Sequence, residues 1–247
     1  MGEPVRVVLV HGSQVSGAQW WRYSTLLGPD VDLVSPDLPG HGARRGEMFT
    51  WEGALRTIGS AVEGGVSGVP VILVGHSLGG YLALAYAAEH PHRLAGLGLL
   101  GACAVPAGPG AAFYRALARA ERRLGVDRMS RALDRQFDWM LPSELAAVLK
   151  EAGYGFDAVP AAWAGVMDSC RPEMLAEVTA PVLLLNGQFD QLRVNARRFA
   201  RAARSAPWVR VVTVRRGLHV FPLTHPYETT AALWELVSSA RRHAALR

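Results

Sequence analysis

Short runs of consecutive apolar residues recur along the chain, at 5–10, 31–35, 71–74, 94–100, 181–186 and 209–214. Apart from Arg6, Asp32, Arg210 and Thr213, the apolar residues within the runs are continuous rather than alternating, the pattern of a strand covered on both faces. Between the runs, apolar residues fall three and four apart and predict helices near 18–27, 51–62, 78–90, 194–203 and 226–241. Alternating strands and helices pair in parallel through right-handed crossovers. The predicted class is α/β, with a doubly wound, mostly parallel sheet of roughly six strands. In such sheets the chemistry sits beyond the carboxyl ends of the strands.

One gap breaks the rhythm. No convincing strand lies between Ala104 and Thr179, a span too long for a plain loop in a compact domain. Helical spacing near 113–124, 127–139, 143–151 and 160–167 predicts an inserted helical cap. The expected organisation is a core of 1–104 and 180–247, with a cap of 105–179 over the strand ends. No internal repeat is present.

The candidate chemistry lies just past three strands. Gly75-His76-Ser77-Leu78-Gly79-Gly80 joins the third strand to an Ala- and Leu-rich helix. A strand, a G-x-S-x-G turn and a helix in that order expose a serine hydroxyl at the sheet edge. The turn is too tight for side chains at Gly75 and Gly79. A serine needs a base to take its proton and a third group to orient that base. Asp190 follows the fifth strand and His219 the sixth, so both fall on the edge that holds Ser77. The order Ser, Asp, His is the one this elbow requires. An oxyanion hole needs fixed N–H donors. Leu78 N–H, directly after the serine, and Ser13 N–H in the His11-Gly12-Ser13-Gln14 loop are the candidates, with Gln14 as the fallback. Among the rivals, His11, His41 and His76 read as structural and His225 as a cap. Asp37 reads as a turn residue, and Asp168 is a more distant candidate acid.

Composition narrows the class. The 247 residues are 50% hydrophobic, ample for one buried core. Cys103 and Cys170 are far apart and lack metal-ligand spacing, so two reduced thiols are expected. No basic stretch followed by an apolar run opens the chain, and no run reaches membrane-spanning length. The expectation is a cytoplasmic protein without membrane, metal or cofactor. The formal charge is +5, and Lys150 is the sole lysine. Arg crowds 115–135, with Arg115/Arg119 and Arg131/Arg135 one helical turn apart. That spacing suits a solvated face, or a docking face for an acidic carrier partner. No nucleic-acid recognition motif accompanies it.

These residues together resemble the α/β-hydrolase superfamily over nearly the whole chain. The resemblance rests on His11-Gly12, Trp20, the Pro39-Gly40-His41-Gly42 turn, the elbow, Asp190, and His219 followed by Phe221. It lacks the antiparallel hairpin with which relatives usually begin. Ser77 rather than Asp at the elbow argues against members that use a carboxylate nucleophile. The resemblance implies a compact serine esterase: Ser77, Asp190 and His219 catalytic, a carboxylic ester, lactone or thioester cleaved through an acyl-enzyme. Gln14, Phe113, Trp139, Met140, Trp163, Met167 and Phe221 are the candidate substrate contacts, and their apolar character predicts a largely apolar small molecule. Two other uses of the triad stay open: a lyase or cyclase without an acyl-enzyme, and a ligand-binding receptor with vestigial hydrolysis.

Overall fold

The computed structural model describes residues 4–106 and 125–245. The strands are β1 (Val5–Val10), β2 (Val31–Val34), β3 (Val71–His76), β4 (Gly96–Leu100), β5 (Val182–Gly187) and β6 (Val209–Val214). They form one six-stranded sheet in the order β2-β1-β3-β4-β5-β6, and every pairing is parallel. The apolar runs produce this arrangement by alternation. Val8, Val10, Leu73, Leu97, Leu99, Val182 and Leu184 point into one core. Val5, Val7, Leu9, Ile72, Val74, Leu100, Leu183 and Leu185 point into the other. Successive strand residues face opposite sides, so a continuous apolar run fills both layers.

Helices α2 (Trp51–Glu63) and α3 (Leu78–Glu89) cover the first face. Helices α1 (Tyr23–Leu27) and α8 (Pro226–Ala244) cover the second. Helix α3 is buried nearly all round, which its Ala- and Leu-rich sequence permits. The helix expected near 18–27 is two pieces. A 3₁₀ turn at Gly17–Trp20 is capped by the Ser16 side chain, and α1 starts only at Tyr23. The break turns Trp20 and Tyr23 inward together, with ring centroids 5.0 Å apart.

Between β4 and β5 the described chain forms α4 (Val126–Met140), α5 (Ser143–Ala152) and α6 (Val159–Ser169). Helices α4 and α5 build a separate apolar cluster with Val15 and Leu223, around Phe137, Leu141, Leu145 and Leu149. Helix α6 instead packs into the main core, where Trp163 meets Tyr81 edge-on at 6.0 Å. The helix expected near 113–124 lies outside the described residues. Among the described residues no helix is long and apolar enough to cross a membrane. Cys103 and Cys170 are free and buried, and burial pushes both thiols up to about 12.

After β5, helix α7 (Ala196–Ala202) is pinned to the sheet by Phe199, which is fully buried. Phe199→Ala should destabilise the fold by about 3–5 kcal/mol through the cavity it leaves, read as a lower urea midpoint at unchanged slope. A midpoint within error of the parent would show that α7 is held by other contacts.

Candidate active site

The strand order reverses between β1 and β3, which places their carboxyl-end loops side by side. Ser77 follows β3 at φ 54° and ψ −117°. Non-glycine residues rarely hold a positive φ, and such strain is a mark of functional turns. Several features hold it there. Ser77 N–H donates to Leu100 O at 2.8 Å, and α3 begins at the next residue. Gly75 lies against the Gly79 and Gly80 backbone, and Gly79 lies against the backbone of Val10 and His11, so side chains at either would collide.

His219 Nε2 is 2.9 Å from Ser77 Oγ, and His219 Nδ1 is 3.0 Å from Asp190 Oδ1. The carboxylate can only accept, so Nδ1 carries the ring proton and Nε2 accepts from the serine hydroxyl. Asp190 Oδ1 also accepts from Leu192 N–H at 2.8 Å. Burial acts to raise the Asp190 pKa, but the bond from His219, its charge and the Leu192 N–H outweigh it and hold the carboxyl below its ordinary value. Asp190 Oδ2 has no hydrogen-bond partner and faces Gly101. Gly101, at φ 57°, leaves room there: a Cβ would stand 2.8 Å from Asp190 Oδ2 and 3.3 Å from the His219 ring. Sequence reasoning missed Gly101, whose only signal was a glycine ending an apolar strand.

The first loop abuts the elbow. A Cβ on Gly12 would lie 3.6 Å from the Ser77 Cβ. Leu78 is the first residue of α3, so its N–H has no acceptor within the helix. The Ser13 carbonyl lies 2.9 Å from His41 Nε2, and the Gln14 carbonyl accepts from Gly155 N–H at 3.3 Å. Gln19, a residue the sequence did not mark, is buried, and its Oε1 accepts from Gly12 N–H at 3.0 Å.

His11, His41 and His76 hold backbone groups around the site. His11 donates from Nδ1 to Gly12 O at 2.8 Å and accepts from Leu38 N–H at Nε2. His41 reaches the Pro39 and Ser13 carbonyls, and burial lowers its pKa. His76 donates from Nε2 to the His219 carbonyl at 2.9 Å, with the two rings 4.9 Å apart. Burial first, then neighbouring histidines, lowers His11 and His76 to about 3. The Asp37 carboxylate accepts from Gly17 and Ala43 N–H and ties its turn. The His225 side chain meets Thr224 Oγ1 at 2.8 Å and does not cap the helix it precedes.

The candidate substrate contacts scatter. Phe221 is fully buried behind the triad, edge-on to His76 at 6.0 Å. Trp163 is buried in the main core, and Met140 packs against the α4–α5 cluster. Met167 is half-buried on α6, its carbonyl accepting from Arg171. Trp139 is 84% exposed on α4, and Phe113 lies outside the described residues. Among the described residues no group of His, Cys, Asp and Glu side chains could hold a metal.

A parallel sheet with a strained serine at a strand-to-helix turn, backed by His and Asp on the next two loops, defines the α/β-hydrolase class. The model of the alpha/beta hydrolase family matches residues 7–233, and the chain belongs to that family. It is 35% identical over 98 residues to the lipase LipV of Mycobacterium tuberculosis, a match covering 39% of this chain and 37% of the lipase. It is 26% identical to a pimeloyl-[acyl-carrier protein] methyl ester esterase of Chromobacterium violaceum, covering 71% of this chain and 65% of that one. The chain thus spans under two thirds of the length of either relative. Its fold is similar to a thermophilic esterase from Thermogutta terrifontis, at TM-score 0.74 and 25% identity, covering 98% of this chain and 92% of that one.

The buried neutral histidines set an acid limit on stability. In the unfolded chain each titrates at its ordinary value of 6.5, and in the fold at about 3. Between these values the unfolded state binds more protons, so their stabilisation is complete above pH 6.5 and is lost as pH falls toward 3. The melting temperature should drop across that window, and His76→Gln should flatten the slope. An equally steep slope in the variant would remove His76 from this account.

Proposed function

We propose that this protein is a serine hydrolase that cleaves carboxylic esters, lactones or thioesters through an acyl-enzyme. The continuous chain of contacts from Ser77 Oγ through His219 to Asp190 carries the reading, at 2.9 and 3.0 Å. Ser77 Oγ attacks the substrate carbonyl as His219 Nε2 takes its proton. Asp190 stabilises the resulting imidazolium and keeps the ring oriented. We assign the oxyanion to the N–H groups of Leu78 and Ser13, residues on the loops that follow β3 and β1, the strands between which the order reverses. His219 then returns the proton to the departing alcohol or thiol. Water, deprotonated by the same nitrogen, attacks the acyl group, and Ser77 recovers the proton as the acid leaves.

The relatives' names, a lipase and a methyl ester esterase, support an ester as substrate. We assign residues 105–179 as the cap that sets substrate shape. The lipase among the relatives supports a largely apolar acyl group. His76 acts through His219: its bond to the His219 carbonyl fixes where the catalytic ring starts. It is a positioning residue and touches no substrate.

A fluorophosphonate probe should label Ser77, with labelling abolished in Ser77→Ala and His219→Ala and slowed in Asp190→Asn. Removing a triad member should lower ester hydrolysis by at least about 10³-fold. Well-folded protein that neither labels nor cleaves any acyl ester would overturn the proposal.

His76→Leu should lower kcat while leaving KM nearly unchanged, because only the base is displaced. His76→Gln, which keeps an N–H near the same place, should recover much of the loss. Equal losses in both variants would reduce His76 to a packing residue.

A further inference from the structure

The net positive charge of this chain has a single source. Residues 191–227 contain eight arginines and no Asp or Glu, while the remaining residues carry 18 basic against 21 acidic side chains. In the fold this segment forms α7, the edge strand β6 and the loops at their ends. Arg198 pairs with Glu173, and Arg210 with Glu235. No acidic partner among the described residues meets Arg193, Arg197, Arg201, Arg204, Arg215 or Arg216.

Four of these side chains share one hollow. Arg193, Arg197, Arg198 and Arg201 line a cavity of about 690 Å³, with Asn195 and Thr213 adding polar groups and Val211 an apolar patch. Among the described residues, no acidic one lines it. Arg197 and Arg201 stand one helical turn apart, where like charges weaken a helix rather than support it. Protecting the open edge of the sheet does not account for them, because the charge on β6 itself, Arg210, is already paired. With Arg198 neutralised by Glu173, three guanidinium groups remain on the hollow with no counter-charge. Planar forks on a concave wall suit the oxygens of phosphate groups.

We propose that this hollow binds a diphosphate group, either free or as the diphosphate of a nucleotide. Arg193 follows the triad acid by three residues, in the 3₁₀ turn that Asp190 caps, so one wall of the hollow begins on the loop that carries Asp190. On the hydrolase reading, the site would hold the phosphorylated end of a substrate whose acyl end meets Ser77.

Binding is measured calorimetrically at low salt, with sodium pyrophosphate and with ADP as separate probes. Arg197→Glu/Arg201→Glu should weaken binding by about tenfold or more. Arg197→Gln/Arg201→Gln removes the charge without reversing it and should also weaken binding. The control Arg128→Glu/Arg131→Glu makes the same net charge change on exposed α4 positions and should leave affinity unchanged. Binding of pyrophosphate alone would assign the site to free diphosphate, and tighter binding of ADP to a nucleotide. Absence of binding by both probes, or equal weakening in the control, would overturn the proposal. No step needs turnover, so failure here leaves the hydrolase reading untouched, and failure of that reading leaves this result standing.

Discussion

The conformation of Ser77 is the constraint from which the active edge is built. A serine at φ 54° costs on the order of 1–3 kcal/mol. It persists because its surroundings leave no alternative. Its N–H is committed to Leu100 O, its successor starts a buried helix, and the flanking glycines let three backbone segments close around it. Each support belongs to a different element: β4 supplies the acceptor, α3 the continuation, and β1 the backbone against which Gly79 rests. Loosening any of them would let the serine relax toward an ordinary turn and swing its hydroxyl away from His219.

Behind the serine the fold uses histidine as neutral wiring. His11 ties the first loop to Leu38 N–H, and His41 lies between the Pro39 and Ser13 carbonyls, to one of which its neutral ring can donate. His76 holds the carbonyl of His219. Each ring is buried enough that charging it is disfavoured, and at His11 and His76 the partner at Nδ1 or Nε2 fixes which nitrogen donates. On the hydrolase reading, a neutral His76 also avoids placing a second cation near the imidazole proposed to accept the serine proton. The same burial makes the fold sensitive to acid, so one physical cause serves orientation and sets the stability window.

Much of this was legible in the chain, for identifiable reasons. The strands stood out because a sheet covered on both faces needs apolar runs, and β1 matches its expected limits of 5–10; β6 also keeps its limits of 209–214, although as an edge strand it carries Arg210 and Thr213 and is largely exposed. Ser77, Asp190 and His219 stood out because each follows such a run. The break at Trp21–Arg22 was hidden, since two short turns carry the same apolar spacing as one helix. Gly101 and Gln19 were invisible because their roles depend on residues far away in sequence. The aromatic residues of the insertion misled most. Large apolar side chains serve a core as readily as a ligand, and periodicity does not separate Trp163, which is buried, from Trp139, which faces solvent.

Asp190 shows how tightly chemistry and folding are joined at this edge. One oxygen accepts from the His219 ring and from Leu192 N–H, the second bond starting the turn that leads to α7. The other oxygen is buried without a donor, against a glycine that cannot be enlarged without crowding it. An unpaired buried oxygen is costly, and the two bonds on the other oxygen, from His219 and Leu192 N–H, hold the carboxylate in place. The carboxylate therefore directs its charge at His219, the one ionisable donor it meets. The turn it caps is also the turn that sets Arg193 at the head of the basic hollow, so one side chain fixes both the orientation of the base and the start of the positively charged edge.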